Sequence, residues 1–300
     1  MPFAFPSESV FAFAGIRTRA DFHRQYGARL PILLYHNVGA TAKDDPNPEL
    51  TISPVKFQRQ MQWLTRHGYS SIRPSDWLAW LSVAKSLPVK AVLITFDDAY
   101  ADIAEHALPV LRRYRMIATV FAVTGKLGDR TLWNNRLMLT DSQIKYWANC
   151  GFEFGAHSRT HCNLSQQNGQ TLKNEIAGSR ADLQRVVEGP VTTFAYPFGS
   201  YTKVVRDAVE EVFDLAFTCQ EGLNNIRTDP LLLCRTEIHA RDSMFDFVGA
   251  VRYGWKPIAR LRGRLRLRSR LNKFWIALRA TDDSPSRPLS GPPQPPGKPD

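Results

Sequence analysis

Short apolar runs alternate along this chain with longer stretches whose apolar residues recur every three or four positions. Residues 30–36 (LPILLYH) read as a strand, and residues 53–68 (SPVKFQRQMQWLTRHG) as a helix. Ser53 is the expected N-cap of that helix, Pro54 its first residue and Gly68 its terminator. Residues 90–96 (KAVLITF) are apolar almost without alternation, the signature of a strand covered on both faces of a parallel sheet. Residues 118–124, 152–156, 191–197, 215–219 and 231–238 repeat the theme, with helical stretches at 172–187 and 203–213 between them. Strand and helix in alternation imply an α/β fold with a parallel sheet, open or closed into a barrel. In either form, ligands meet the C-terminal ends of the strands.

Composition changes the picture at one end only. The net charge is +11, a surplus that suggests nucleic acid until it is mapped along the chain. Residues 1–251 hold 27 Lys/Arg against 25 Asp/Glu, whereas residues 252–280 hold ten Lys/Arg and no acid. The body is therefore nearly neutral, and the charge belongs to one segment. No nucleic-acid motif accompanies it, so a nucleic-acid partner is not expected. Arg occupies every even position from 260 to 270, mixed with Leu and followed by Phe274 and Trp275. That mixture suits an anionic membrane surface. Residues 281–300 contain seven prolines and are expected to be disordered. The division predicted is an arm at 1–30, a catalytic domain at 31–251, a basic segment at 252–280 and a Pro-rich tail at 281–300.

Cys150, Cys162, Cys219 and Cys234 form no CxxC pair, and the expected state is buried free thiols. The N-terminus lacks a basic region ahead of its apolar stretch and does not read as a signal peptide. No run of about 18 apolar residues exists to cross a membrane as a helix. The expected location is cytoplasmic, with peripheral attachment at the inner face of the membrane.

Chemistry gathers at the strand ends. The strand at 90–96 delivers Asp97 and Asp98, adjacent carboxylates whose repulsion a cation would relieve; a helix N-cap with a first-turn acid is the other reading. The strand at 152–156 ends at His157, and His161 follows four residues later. The two imidazoles converge on one ion if the intervening turn is helical. Two histidines and a carboxylate with open positions form the donor set of a hydrolytic metal site.

TFDDAY (residues 95–100), HSRTH (157–161) and FAYPFGSY (194–201), in this order, resemble the polysaccharide deacetylases, the carbohydrate esterases that share the NodB homology domain. LLYHNVG (33–39) resembles their bacterial polysaccharide-biosynthesis members. The resemblance covers about residues 31–250. It implies a distorted (β/α)-barrel of about seven strands and a divalent metal, usually Zn2+, sometimes Co2+ or Ni2+. By position it implies Asp97 as catalytic base, Asp98, His157 and His161 as metal ligands, and the Phe198 N–H as oxyanion donor. The family's third motif usually opens with an Arg that steadies the base. Ala195 stands there instead, and Arg235 is the candidate replacement. His239, just past the strand at 231–238, is the candidate general acid, and His36 ends a strand on the same face. Tyr196, Phe198 and Tyr201 form either a sugar-stacking wall or core, whereas Trp63, Trp77 and Trp80 sit at helical spacing and read as core.

The implied activity is metal-dependent removal of N-acetyl groups from a sugar or polysaccharide, such as a lipid-linked precursor, in envelope or exopolysaccharide biosynthesis. An amidohydrolase acting on a non-sugar C–N bond and an inactive carbohydrate-binding barrel are the rival readings.

Overall fold

The computed structural model describes residues 29–41, 43–82, 86–131 and 135–262. Its strands are β1 (Leu30–Tyr35), β2 (Asn37–Val38), β3 (Thr51–Ile52), β4 (Ser70–Ser71), β5 (Ala91–Phe96), β6 (Thr119–Ala122), β7 (Glu153–Ala156), β8 (Thr193–Ala195), β9 (Leu215–Phe217), β10 (Leu223–Asn224) and β11 (Thr236–Glu237). The α-helices are α1 (Pro54–Arg66), α2 (Pro74–Leu81), α3 (Asp102–His106), α4 (Leu108–Arg113), α5 (Asp141–Asn149), α6 (Gly169–Lys173), α7 (Ser179–Val187), α8 (Lys203–Glu210) and α9 (Met244–Tyr253).

The strands β1, β5, β6, β7, β8 and β9 lie side by side in that order, each parallel to the next. The chain at 233–237 then closes the ring. Leu233 bridges Phe217 of β9, and β11 pairs in parallel with β1 at Leu33 and Leu34. The result is the curled barrel of about seven strands that the alternating pattern and the family resemblance imply. Among the named strands of the described residues, only β10 runs antiparallel, against the start of β1.

Period-two geometry sorts the strand residues onto two faces. Ile32, Leu93, Phe121, Ala195, Phe217 and Leu233 form an inner cluster with Trp77 and Trp80, whose rings stack 4.6 Å apart. The opposite residues, such as Leu33, Ile94, Val120 and Phe194, join the larger core beneath the helices. Both faces are therefore dry, which is why these strands read as unbroken apolar runs. At the start of α1, Ser53 Oγ accepts the Lys56 N–H at 3.3 Å, and Gly68 takes the left-handed φ of 75° beyond its end.

Two expectations change. Residues 231–238 do not form one strand, because the Asn224 side chain takes the place of a neighbouring strand. Its Oδ1 accepts the Cys234 N–H at 2.8 Å and its Nδ2 donates to the Cys234 carbonyl at 2.8 Å. The boundary at 251 also moves. The compact unit continues through Pro257, where Lys256 is buried and its Nζ lies 2.9 Å from Asp242 Oδ2. A Cβ on Gly254 would meet the Gly222 backbone at 2.4 Å, so this turn is sealed against the barrel. Residues 252–257 thus belong to the catalytic unit. The N-terminal arm up to residue 28, and the membrane-associating and Pro-rich readings from residue 263 onward, lie outside the described residues. Among the described residues, no helix is long and apolar enough to cross a membrane.

Candidate active site

Alternation along β5 points Leu93, Thr95 and then Asp97 into the barrel, and the chain turns sharply at the next residue. Asp98 and Ala99 both hold left-handed backbone, φ 70° and 63°. Non-glycine residues rarely adopt that conformation, and it concentrates where surrounding structure enforces a particular side-chain direction. Here it aims Asp98 at the histidines that follow β7. The donor atoms of Asp98, His157 and His161 all lie within 4.8 Å of one another. Asp98 Oδ1 is 3.3 Å from His161 Nε2 and 3.6 Å from His157 Nε2.

The turn that brings the two imidazoles together is not the helical one expected from their spacing. Ser158 and His161 both have φ of 61°, and Ser158 Oγ accepts the His161 N–H at 3.0 Å. Buried Glu175 holds the rest, accepting the Arg159 and Thr160 N–H groups at 2.9 and 3.0 Å and the Thr160 hydroxyl at 2.9 Å. Glu175 sits in a π-helical turn, Asn174–Gly178, between α6 and α7. Such turns often mark functional sites because they redirect one side chain. The sequence reading missed Glu175, whose only signal is an acid inside an otherwise helical stretch.

Each histidine is tuned to be a neutral donor. His157 Nδ1 lies 2.7 Å from the Ala195 carbonyl, which can only accept, so Nδ1 carries the proton and Nε2 keeps its lone pair. Burial is the main reason that the His157 pKa falls to about 4, helped by His161 and opposed by Asp97 and Asp98. Burial likewise lowers His161 to about 4, with Asp97 opposing. Asp98 Oδ1 is buried without a hydrogen-bond partner, an expensive state that a cation would relieve. On chemistry and on this orphaned atom, the three residues fit a divalent metal.

Asp97 is held differently. Arg235, fully buried, grips it with both ends of the guanidinium, Nη1 to Oδ1 at 2.6 Å and Nη2 to Oδ2 at 2.7 Å. Arg235 Nε donates to the Thr218 carbonyl at 2.9 Å, and its guanidinium lies 5.5 Å from the Phe121 ring centroid. Burial alone would raise the Asp97 pKa; the Arg235 charge, then His157, then the Arg235 hydrogen bonds outweigh it and hold the carboxyl at about 2. With Ala195 at the motif position, the buried guanidinium beside the carboxylate comes from the closing segment of the barrel.

Asp97, Asp98, His157 and His161 line a cavity of about 520 Å³, with His36, Asn37, Asn47, Leu50, Tyr100, Phe198, Cys219 and Glu237 completing its wall. Phe198, left-handed at φ 59°, is 64% exposed and its ring centroid is 4.6 Å from that of His161. Tyr196 is core: it is buried and donates its hydroxyl to the Leu231 carbonyl at 3.1 Å. The four cysteines are free but none is buried; Cys219 is exposed at the cavity wall.

His239 requires a correction, because it does not line the cavity. Its Nε2 lies 2.7 Å from Glu237 Oε2 and its Nδ1 3.2 Å from Lys256 Nζ, so both ring nitrogens are engaged and neither faces the cavity. Besides His157 and His161, the imidazole at the cavity wall is His36, with Nδ1 3.6 Å from Glu237 Oε1.

Comparison with known proteins settles the family. The polysaccharide deacetylase profile matches residues 84–212. The chain is 30% identical over 206 residues to YxkH of Bacillus subtilis (strain 168), named for the same family, covering 68% of this chain and 70% of that one. This chain belongs to the polysaccharide deacetylases. The deacetylase is also 28% identical over 158 residues to the poly-beta-1,6-N-acetyl-D-glucosamine N-deacetylase of Staphylococcus aureus (strain MRSA252), covering 50% of this chain and 54% of that one. It thus spans about half the length of the latter relative. Among solved structures, the Streptococcus pyogenes deacetylase PplD in complex with acetate superposes with a TM-score of 0.67 at 26% identity, covering 75% of this chain and 98% of that one. BA0330 from Bacillus anthracis gives a TM-score of 0.66 at 23% identity over 75% of this chain and 69% of its own, a likeness of fold.

Proposed function

We propose that this deacetylase hydrolyses the N-acetyl group of an N-acetylhexosamine unit within a polysaccharide, using a divalent cation, Zn2+, held by Asp98, His157 and His161. The observation that carries the proposal is the convergence of three metal-donor side chains beside a separate carboxylate clamped by a buried arginine. Two imidazoles and one carboxylate are a common zinc set, and Co2+ or Ni2+ suits the same donors. The substrate class draws support from the Staphylococcus aureus relatives, named for poly-beta-1,6-N-acetyl-D-glucosamine.

When bound, the cation supplies Lewis acidity to the acetyl carbonyl and lowers the pKa of a water towards about 7. Asp97, outside the ligand set, takes the water's proton, and the Arg235 clamp keeps its carboxylate ionised and aimed. The Phe198 N–H stabilises the developing oxyanion. Its left-handed backbone and its ring against His161 support that role by bringing the peptide to the cavity wall. His36 gives the leaving amine its proton, with the Glu237 carboxylate charge 3.6 Å from its Nδ1.

Acetate release from β-1,6-linked N-acetylglucosamine oligomers, measured beside free N-acetylglucosamine, tests the substrate class. Oligomers should be the better substrate, because an open cavity of this size accommodates more than one sugar ring. Release from neither would remove the sugar reading. For His36→Ala, turnover of the amide should fall about 10²-fold or more, the usual scale for a lost general acid. A fall of less than threefold would exclude His36 as that acid.

Metal affinity should resist acid to an unusual degree. Protons compete with metal for the imidazole lone pair, and competition begins as pH falls through the pKa of the metal-free histidine. At about 4 for both His157 and His161, that point lies well below the ordinary imidazole value of 6.5. Calorimetric titration with Zn2+ should therefore give similar affinities at pH 7 and at about pH 5.5. A loss of tenfold or more between them would contradict the burial argument.

A further inference from the structure

Resting on the reading of His36 as general acid, we infer that Lys256 and His239 are positioning residues that fix the Glu237 carboxylate against His36. The closing segment of the barrel supplies both catalytic partners from one face. Arg235 and Glu237, two residues apart, reach Asp97 and His36 respectively. What holds Glu237 lies behind it. Its Oε2 is 2.7 Å from His239 Nε2, and His239 Nδ1 is 3.2 Å from Lys256 Nζ.

Donor and acceptor roles follow from chemistry. An ammonium group only donates, so His239 Nδ1 accepts, and the ring's proton sits on Nε2. Nε2–H then donates to Glu237 Oε2, leaving Oε1 to face His36 Nδ1. At 3.6 Å, Glu237 Oε1 pairs with the His36 ring by charge and not by a hydrogen bond, and the protonated ring offers its Nε2–H to the leaving amine. Without Lys256, His239 is free to place its proton on Nδ1, and Nε2 would then oppose the carboxylate with a lone pair.

The anchor is rigid. Lys256 is buried, and its Nζ also pairs with Asp242 Oδ2 at 2.9 Å, the same oxygen that accepts the His239 N–H at 2.8 Å. Lys56 adds a second ammonium, donating to the carbonyls of His239 at 3.2 Å, Ala240 at 2.6 Å and Asp242. Buried ion pairs are poor sources of net stability, because desolvation offsets their attraction. The consequence of this one is orientation: it fixes the turn at residues 239–242 and the tautomer of the imidazole.

The test compares an amide with an ester whose leaving group needs no proton. Full-length wild type, Lys256→Met, His239→Leu, His239→Gln and His36→Ala are assayed on a β-1,6-linked N-acetylglucosamine oligomer and on 4-nitrophenyl acetate. Lys256→Met and His239→Leu should lower kcat on the amide by about tenfold or more at unchanged KM, and ester hydrolysis by less than about threefold. His239→Gln, which keeps an N–H donor for Glu237, should recover most of the amide activity. An equal fall on both substrates, or no fall on either, overturns the inference. Should Lys256→Met fail to fold, the two His239 variants decide the question, since the Lys256–Asp242 pair is intact in both. His36→Ala separates the two readings. If it shows no selective loss on the amide, the acid assignment itself falls. If it does, while Lys256→Met and His239→Leu keep the wild-type ratio, only the positioning role falls.

Discussion

Replacing Arg235 with methionine should cost about 3–5 kcal/mol of stability at neutral pH, the usual penalty for leaving a buried charge without its partner. The residue is fully buried, and its guanidinium meets Asp97 at 2.6 and 2.7 Å. Methionine fills much of the space beside Phe121 and Phe217 but leaves the Asp97 carboxylate desolvated and unpaired. The pH dependence gives the effect a signature. In the wild type, burial raises the Asp97 pKa and Arg235 with His157 outweigh it, so the folded value, about 2, lies below the ordinary carboxyl value of 3.8. That contribution to stability is complete above the unfolded value and disappears as pH falls through the folded one. In the variant, burial loses its main opponent and the carboxyl pKa rises. The stability gap between wild type and Arg235→Met should therefore be widest near pH 7 and narrow on acidification, as Asp97 takes up a proton. Urea denaturation at pH 7 and at about pH 4, close to the ordinary carboxyl pKa, measures it. The same substitution in an Asp97→Asn background should cost much less, since no carboxylate remains to strand. Equal losses in the two backgrounds would mean that the ion pair is not the source.

For Asp97→Asn, turnover should fall by about 10²- to 10⁴-fold, the range for a missing general base, while metal content stays near that of wild type. Asp98→Asn should behave otherwise. Asp98 Oδ1 faces both imidazoles with no hydrogen-bond partner, so its amide counterpart removes the negative charge from the donor set and the metal leaves. Metal analysis and acetate release on both variants separate the roles, with thermal denaturation to show that each remains folded. Equal metal loss in the two would collapse the distinction between base and ligand.

The parallel strands were legible in the sequence because both their faces are buried, and apolar runs ending in Asp97, Asp98 and His157 bring those side chains to one rim. What stayed hidden depends on contacts between distant residues. The turn at 158–161 is shaped by Glu175, held in a π-helical turn that no local pattern announces. Residues 231–238 read as a strand, but a side chain 10 residues away from Cys234 replaces part of its ladder. Charge counting places Lys256 in the basic, membrane-associating segment, since a count cannot separate a buried, paired ammonium from an exposed one. For His239, position just beyond the strand suggested the site, yet its ring nitrogens face Glu237 and Lys256. Position along a strand fixes a residue's height in the barrel; its partners fix its role.

The central claim is that Asp98, His157 and His161 hold the metal that deacetylation requires. Metal content and acetate release measured on the same preparations test it most directly. Wild type should carry about one equivalent of divalent metal and release acetate from the N-acetylglucosamine oligomer, because three converging donors make a single site. A folded His157→Ala/His161→Ala variant should lose both. Stoichiometric metal retained in that double variant, or wild-type turnover after complete chelation, would contradict the account.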